Sequence, residues 1–374
     1  MGPLAGIRIV EFVGIGPGPM AAMLFADLGA TVIRIDRTTP SRLGVAMPER
    51  FNLLARSRPC ITLDLKHSEG LALACDLIGK ANGLIEGFRP GTMERLGLGP
   101  DAMLVRNPRL VYGRMTGWGQ SGPLAQAAGH DLNYLALVGA LATIGRAGAK
   151  PTVPLNLVAD FGGGALYLAF GMACAMIEAQ RSGKGQVVDA AMTDGAASLM
   201  TMFYGLYAAG LHNRDRGKNL LDSGSAIYDV YECADRSYVA IAPLELKFRE
   251  VLFQKLGLPY TTDDGATLRG KLEELFKTRT RDEWRSLLEG SDACFAPVLT
   301  MAEAPRHPHN VARGTFVEVG GVTQPAPAPR FSRTPAAKPT PPQRPGGRAA
   351  LAEWGVAESR IGALAAAGVL GEVS

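Results

Sequence analysis

Residues 8–36 read RIVEFVGIGPGPMAAMLFADLGATVIRID, and the fold is decided by this stretch. Arg8–Val13 is a short apolar run of strand length. Pro17–Leu28 then repeats its apolar residues at helical spacing, and Thr31–Asp36 returns to a β-branched, strand-like run. A strand, a tight glycine–proline turn, a helix and a second strand make a crossover unit whose two strands run parallel. The alternation continues with strands at Ile61–Leu65, Gly83–Phe88 and Leu110–Met115 and a helix at Glu69–Ala81. Strands alternating with helices imply a parallel sheet covered on both faces, hence an α/β fold.

From His130 the pattern changes. Asp131–Ile144 and Phe161–Gln180 read as long helices, Gln186–Met192 as one more strand, and Ala196–Ala209 as another helix. Two β-rich runs within Ile227–Ala242, around Ala234-Asp235-Arg236, suggest a hairpin. Helical stretches follow at Leu246–Leu256, Leu268–Thr278 and Arg281–Glu289, so this region reads as a smaller α+β domain. Thr323–Arg348 is Pro-rich and predicts an extended surface segment, with terminal helix in Leu351–Leu370.

The composition sets outer bounds. A chain of 374 residues suits two domains, or one large α/β unit with a smaller satellite, and 47% hydrophobic against 20% charged residues supplies a sizeable core and excludes global disorder. The 46 glycines and 25 prolines lie above the usual roughly 7% and 5% without a triplet period, which points to many tight loops. A net charge of +4 without a dense Lys/Arg stripe argues against nucleic acid and permits a small anionic ligand. The five cysteines (Cys60, Cys75, Cys174, Cys233 and Cys294) form no CxxC pair and read as thiols of a reducing compartment, and no His/Cys cluster has metal-ligand spacing. Phe161–Ile177 and Gly195–Asn213 are borderline for crossing a bilayer, at roughly 17–19 residues. Their Gly and Tyr content favours buried core helices. With no signal-peptide pattern at the start, the expectation is a soluble cytoplasmic protein without a membrane partner.

Five features carry candidate chemistry. The turn Gly14-Ile15-Gly16-Pro17-Gly18-Pro19 sits where a dinucleotide fingerprint belongs, but it is not GxGxxG, and its prolines remove amide donors. Asp36 ends the next strand between Arg34 and Arg37, so a nicotinamide site is the weaker reading and a tight turn opening a helix the stronger. Arg37, Arg56, Arg58, Arg89 and Arg95 lie near strand ends, where guanidinium groups can hold phosphates; solvated surface arginine is the competing reading. His130 opens a helix in Gly129-His130-Asp131-Leu132-Asn133-Tyr134, where the helix dipole favours a neutral imidazole able to act as a base. Asp160 precedes Gly162-Gly163-Gly164 at another predicted helix start. It reads as an N-cap, with the glycines leaving backbone N–H groups open to a ligand. Glu245 precedes a helix of the second domain.

Taken together these pieces resemble the α-methylacyl-CoA racemases, a branch of the family III CoA-transferase superfamily. The matching stretches are GIGPGPMAAML, VIRIDR, GFRPGTMERLGLGP, RMTGWGQSGP, GHDLNYLALVGAL, PLNLVADFGGG, GKGQVVDAAM and YDVYECADRSYVA, in register from Gly6 to about Arg333. The resemblance implies a large Rossmann-like CoA-binding α/β domain over 1–190, a linker helix over 191–224, a smaller α+β domain over 225–320 and a C-terminal return over 321–374, in an interlocked homodimer. It implies CoA contacts at Ile15, Arg37, Leu63, Asp64, Leu65, Lys66, Gly87, Phe88, Arg89, Arg95, Gly129, Asp131, Leu132, Asn133 and Tyr134. Catalysis would rest on His130, Asp160 and Glu245, although the Leu246-Lys247-Phe248 neighbourhood of Glu245 departs from the family's pattern. The implied reaction inverts C2 of a 2-methylacyl-CoA with CoA as part of the substrate and no separate cofactor. The alternative is a CoA-transferase in which Asp160 is the nucleophile; a non-catalytic CoA-binding protein fits the three acid–base groups least.

Overall fold

The computed structural model describes residues 2–39, 44–342 and 347–371. Residues 343–346 of the Pro-rich stretch lie outside the described residues. The chain forms two compact units: Met1–Val138, Leu155–Leu199 and Gly314–Ser374 make the first, Gly139–Pro154 and Met200–Arg313 the second.

The first unit is built on six parallel strands: β1 (Arg8–Phe12), β2 (Thr31–Asp36), β3 (Cys60–Thr62), β4 (Gly83–Glu86), β5 (Val111–Thr116) and β6 (Gln186–Ala191). Their order is β3-β2-β1-β4-β5-β6, a doubly wound sheet that reverses direction between β1 and β4. Ile9, Val10, Leu84 and Tyr112 are fully buried, as expected of strands covered on both faces. β3 is shorter than its sequence suggests, because Leu63 leaves the ladder and bridges antiparallel to Leu370. The terminal helices Arg348–Glu353 and Glu358–Ala366 return to this unit, placing Leu351, Trp354, Ile361 and Leu364 in one core with Leu73, Leu77 and Ile78.

Three predicted helices are revised. Asp131–Ile144 breaks at Gly139, whose φ of 78° ends one helix (Asp131–Leu137) and starts another (Ala140–Thr143). Ala196–Ala209 divides into Met192–Leu199 and Thr201–Ala208. The stretch read as Phe161–Gln180 begins earlier, as a π-helical segment Leu157–Ala165 that runs into an α-helix Leu166–Ser182. That helix lies on the sheet where Gly83 and Gly113 present no side chain: a Cβ at Gly83 would meet the Met176 and Met172 methyls at 2.8 and 2.9 Å. The expectation of a wholly buried core helix holds for one face only. Leu168, Met172 and Ala175 are buried, but Leu166, Phe170 and Ile177 are exposed. By length and composition alone the continuous helix Leu157–Ser182, with a mean hydropathy of 1.5, is apolar enough to cross a membrane; one third of its most apolar window is buried.

In the second unit the expected hairpin is β7 (Asp229–Glu232) and β8 (Tyr238–Ile241), to which β9 (Phe295–Val298) adds antiparallel. Helices Leu246–Leu256, Ala266–Phe276 and Arg281–Leu288 close over it around Tyr231, Phe253, Phe276 and Trp284. The last of them starts with a capping box, Thr280 accepting from the Glu283 amide and Glu283 from that of Thr280.

The π-helical segment is seated by a glycine contact. A Cβ on Gly195 would fall 1.8 Å from the Gly163 carbonyl oxygen, and one on Gly163 would fall 2.6 Å from the Ala196 nitrogen. Neither backbone can yield as a side chain would. Gly195→Ala is therefore expected to destabilise the fold by about 1–3 kcal/mol or more, read as a lowered denaturant midpoint at unchanged m-value.

Candidate active site

The turn after β1 and the loops after β2, β3 and β4 carry most of the residues expected at a ligand. Gly14, Ile15 and Gly16 follow β1, and Gly16 takes a φ of 66° as it opens the helix Pro17–Asp27. Arg37 follows β2 and is exposed, its amide donating to Asp36 Oδ1 at 2.8 Å. After β3, buried Leu63 donates to the Asp36 carbonyl, and Asp64 turns the chain by accepting from the Lys66 amide at 2.9 Å; Leu65 is half-buried and Lys66 exposed. After β4 come Gly87, Phe88 and Arg89. The Phe88 amide donates to the buried Glu86 carboxylate, which Arg114 holds from the other side at 2.9 Å. Arg95 ends the short helix Thr92–Arg95, exposed and bonded to Thr92 Oγ1. Arg37, Lys66, Arg89 and Arg95 thus present four exposed cations around the loops of β2, β3 and β4. Arg56 and Arg58 do not join them. Both are buried, Arg56 paired with Asp27 and Arg58 lying 3.4 Å from Glu11, so the phosphate reading is withdrawn for these two.

The loop after β5 positions His130. Gly117 and Gly129 leave room for the Tyr134 ring, which a Cβ on Gly117 would meet at 2.2 Å. Tyr134 donates its hydroxyl hydrogen to the Gly129 carbonyl and stands edge-on to Trp118, with ring centroids 4.8 Å apart. Burial and the charges of Asp160 and Asp131 push its phenol up to about 12, so it remains a neutral donor. His130 is then the N-cap of Asp131–Leu137. Its amide donates to Asn133 Oδ1 at 3.0 Å, and the residue is exposed, as is Leu132 beyond it.

Asp160 is not the N-cap its sequence context suggests. Asn156 holds that place, and Asp160 lies one turn inside the π-helical segment. The side-chain amide of Asn156 donates to Asp160 Oδ2 at 3.2 Å. The same oxygen overhangs the β1 turn, 3.2 Å from where a Cβ on Gly16 would sit. The amides of Ala159 and Asp160 both donate to Asp131 Oδ2 at 2.8 Å, so they are not open to a ligand. Gly163 and Gly164 are likewise glycine for packing, against Gly195 and Ala196 in one case and Met192 and Pro17 in the other. Burial pushes the Asp160 carboxyl above the ordinary aspartate value, with a further push from Asp131; the Asn156 hydrogen bond and the charge of His130 oppose it.

Glu245, in the second unit, is the N-cap of Leu246–Leu256. Its carbonyl accepts from the Phe248 and Arg249 amides while its side chain is exposed. Two side chains that hold Asp160 escaped the sequence reading: Asn156 on its carboxylate, and Asp131 on its amide. Asn156 and Asp160 are four residues apart, the spacing of neighbours on one helical face, and that was the available signal. The Asp131 contact joins residues 28 and 29 positions apart and left no local pattern.

A doubly wound sheet whose strand-end loops carry exposed cations, beside a raised carboxyl and an exposed histidine, combines acid–base groups with a place for an anionic ligand. The sequence matches CoA-transferase family III over residues 4–348, and the chain belongs to that family. It is 42% identical to the α-methylacyl-CoA racemase of Mus musculus over 341 residues, covering 89% of this chain and 87% of that protein. The Homo sapiens racemase gives 42% over 342 residues with the same coverage. The succinyl-CoA–D-citramalate CoA-transferase of Chloroflexus aurantiacus is 30% identical, covering 89% of each chain. Among solved structures, a CAIB/BAIF family protein from Brucella suis superposes with a TM-score of 0.79 at 25% identity, covering 94% of this chain and 99% of that one.

The Asp160 carboxyl carbon, followed by ¹³C NMR, should titrate with a midpoint above the ordinary 3.8. Asn156→Ala removes a hydrogen bond that favours the ionised form, so the midpoint should rise further. A midpoint that stays in place would separate Asn156 from Asp160 energetically.

Proposed function

We propose that the protein is a 2-methylacyl-CoA racemase that inverts C2 by a two-base 1,1-proton transfer. The observation that carries this reading is that Asp131, the residue after the exposed N-cap His130, accepts the amide of Asp160, which links the histidine's helix to a carboxyl of raised proton affinity. The 42% identity to two racemases supports it. Attachment to a thioester acidifies the C2 hydrogen. One group removes that proton, the electron pair moves onto the thioester oxygen as an enolate, and the other group returns a proton to the opposite face. His130 serves one face, and Asp160, held by Asn156, serves the other. The raised proton affinity of Asp160 suits a residue that must both accept and donate near neutral pH. Arg37, Lys66, Arg89 and Arg95 hold the phosphates of CoA far from C2, so that binding at a distance places the reacting carbon. CoA is part of the substrate, and the mechanism calls for no further cofactor. Five unpaired thiols agree with a reducing compartment such as the cytoplasm.

A CoA-transferase is the second reading, favoured by the 30% relative and by an Asp that can attack a thioester. Incubation of a single 2-methylacyl-CoA in D₂O decides between them. The racemase places deuterium at C2 and interconverts the epimers without an acceptor acid; the transferase turns over only when a free carboxylic acid is added and leaves an acyl group on Asp160. His130→Ala should cut deuterium wash-in mainly from one pure epimer and Asp160→Ala mainly from the other, each by about 10²–10⁴-fold. Equal loss from both epimers in each variant would point to a single base.

The working unit is a homodimer. The exposed Leu166, Phe170 and Ile177 of the first unit, and separately Met202, Tyr207 and Leu211 of the second, are large apolar side chains that a second copy would cover. Sedimentation velocity should give twice the mass of one chain at all accessible concentrations, and an active monomer would refute the assembly.

A further inference from the structure

We propose that the Asp131 side chain is a positioning residue for this proton transfer, tying the start of the His130 helix to the Asp160 segment through two hydrogen bonds to one oxygen. The inference rests on the racemase reading and gives the Asp131 carboxylate a task beyond the CoA contact that the resemblance implies for this residue. Asp131 immediately follows His130, and its side chain turns inward with the residue 4% exposed. Oδ2 receives the amides of Ala159 and Asp160. Oδ1 is buried and has no hydrogen-bond partner among the described residues. One carboxylate therefore fixes the distance between the backbones that carry the two bases.

The geometry makes the charge surplus to the capping task. Two amide hydrogens need an acceptor oxygen, which the neutral amide of asparagine also offers, whereas a buried carboxylate with one oxygen unpartnered is costly to keep. The charge acts on Asp160. Asp131 pushes its proton affinity up. Other ionisable groups on the surrounding elements are engaged, exposed to solvent or at the far end of their element. Asp27, at the far end of Pro17–Asp27, is paired with Arg56. Arg114 of β5 is tied to Glu86 and Glu94. Asp189 of β6 accepts from the Gln120 amide. Asp194 of Met192–Leu199 is exposed. Glu178 and Arg181 lie near the far end of Leu166–Ser182. What faces Asp160 is His130, Asp131 and the neutral Tyr134, all from the Asp131–Leu137 helix and its cap.

The test uses the full chain and deuterium wash-in from each pure epimer of one 2-methylacyl-CoA as a function of pH, with CoA affinity and circular dichroism as controls. Asp160→Ala first identifies the epimer whose exchange starts at Asp160. In Asp131→Asn the cap survives and the charge is lost. The acid limb for that epimer should move to lower pH, with at least a tenth of wild-type exchange retained at its optimum. In Asp131→Ala both hydrogen bonds go, and exchange from both epimers at saturating substrate should fall about 10²-fold. An unmoved acid limb or an inactive but folded Asp131→Asn overturns the proposal, as does a loss below tenfold in folded Asp131→Ala. Should the alanine variant fail to fold, the limb of Asp131→Asn alone decides. Wild-type protein that exchanges no deuterium sinks the racemase reading itself, whereas an exchanging wild type with an unmoved limb sinks only the role of Asp131.

Discussion

The reversal of strand order between β1 and β4 is the constraint on which the site depends. From β1 the chain crosses over toward β2, and from β4 toward β5, so the connections above these neighbouring strands leave in opposite directions. The parted loops leave space outside the carboxyl ends. The Gly14–Gly16 turn borders that space, and the Asp160 carboxylate overhangs it. Gly16 accepts the approach because it has no Cβ and tolerates its positive φ.

A second constraint follows from the first. To bring Asp160 over the β1 turn, the segment Leu157–Ala165 must press against Pro17 on one side and the Met192–Leu199 helix on the other. Glycines at 163, 164 and 195 permit that approach, at a cost in helix propensity of roughly 1 kcal/mol each relative to alanine. The π-helical winding widens the segment, and its unpaired first amides are taken up by Asp131 rather than by a neighbouring turn. Sheet topology, glycine packing and the Asp131 contact form one chain of dependence that ends at a single carboxylate.

Much of this was legible in the residues. The β1–helix–β2 unit, the parallel sheet and the small-unit hairpin all follow from local periodicity, which is what a short window of sequence records. His130 and Asp160 stood out because each is an ionisable residue beside a helix start. What the sequence hid was set by distant partners. Asp160 looks like an N-cap because Gly162–Gly164 resemble a frayed beginning, yet Gly163 and Gly164 are glycines for the sake of Gly195, Met192 and Pro17. Arg56 and Arg58 look like phosphate ligands because their buried partners, Asp27 and Glu11, lie far away in sequence. Gly139 ends a helix that apolar periodicity alone would continue, since a positive φ is a property of the backbone and not of hydrophobic pattern.

The discontinuity of the first unit bears on how the chain is made. Strand β6 leaves the ribosome well before Leu351, Trp354 and Leu364, which complete the core around Leu73 and Leu77. With Met200–Arg313 of the second unit synthesised in between, at ~5–20 residues per second the nascent chain carries an unfinished hydrophobic surface for on the order of 10–30 s. The helices that seal that surface follow Met200–Arg313, so a ribosome stalled within that segment would hold a sheet with all six strands but an open core. The order of the segments thus sets how long that apolar surface stays open during synthesis, independent of the stability of the finished fold.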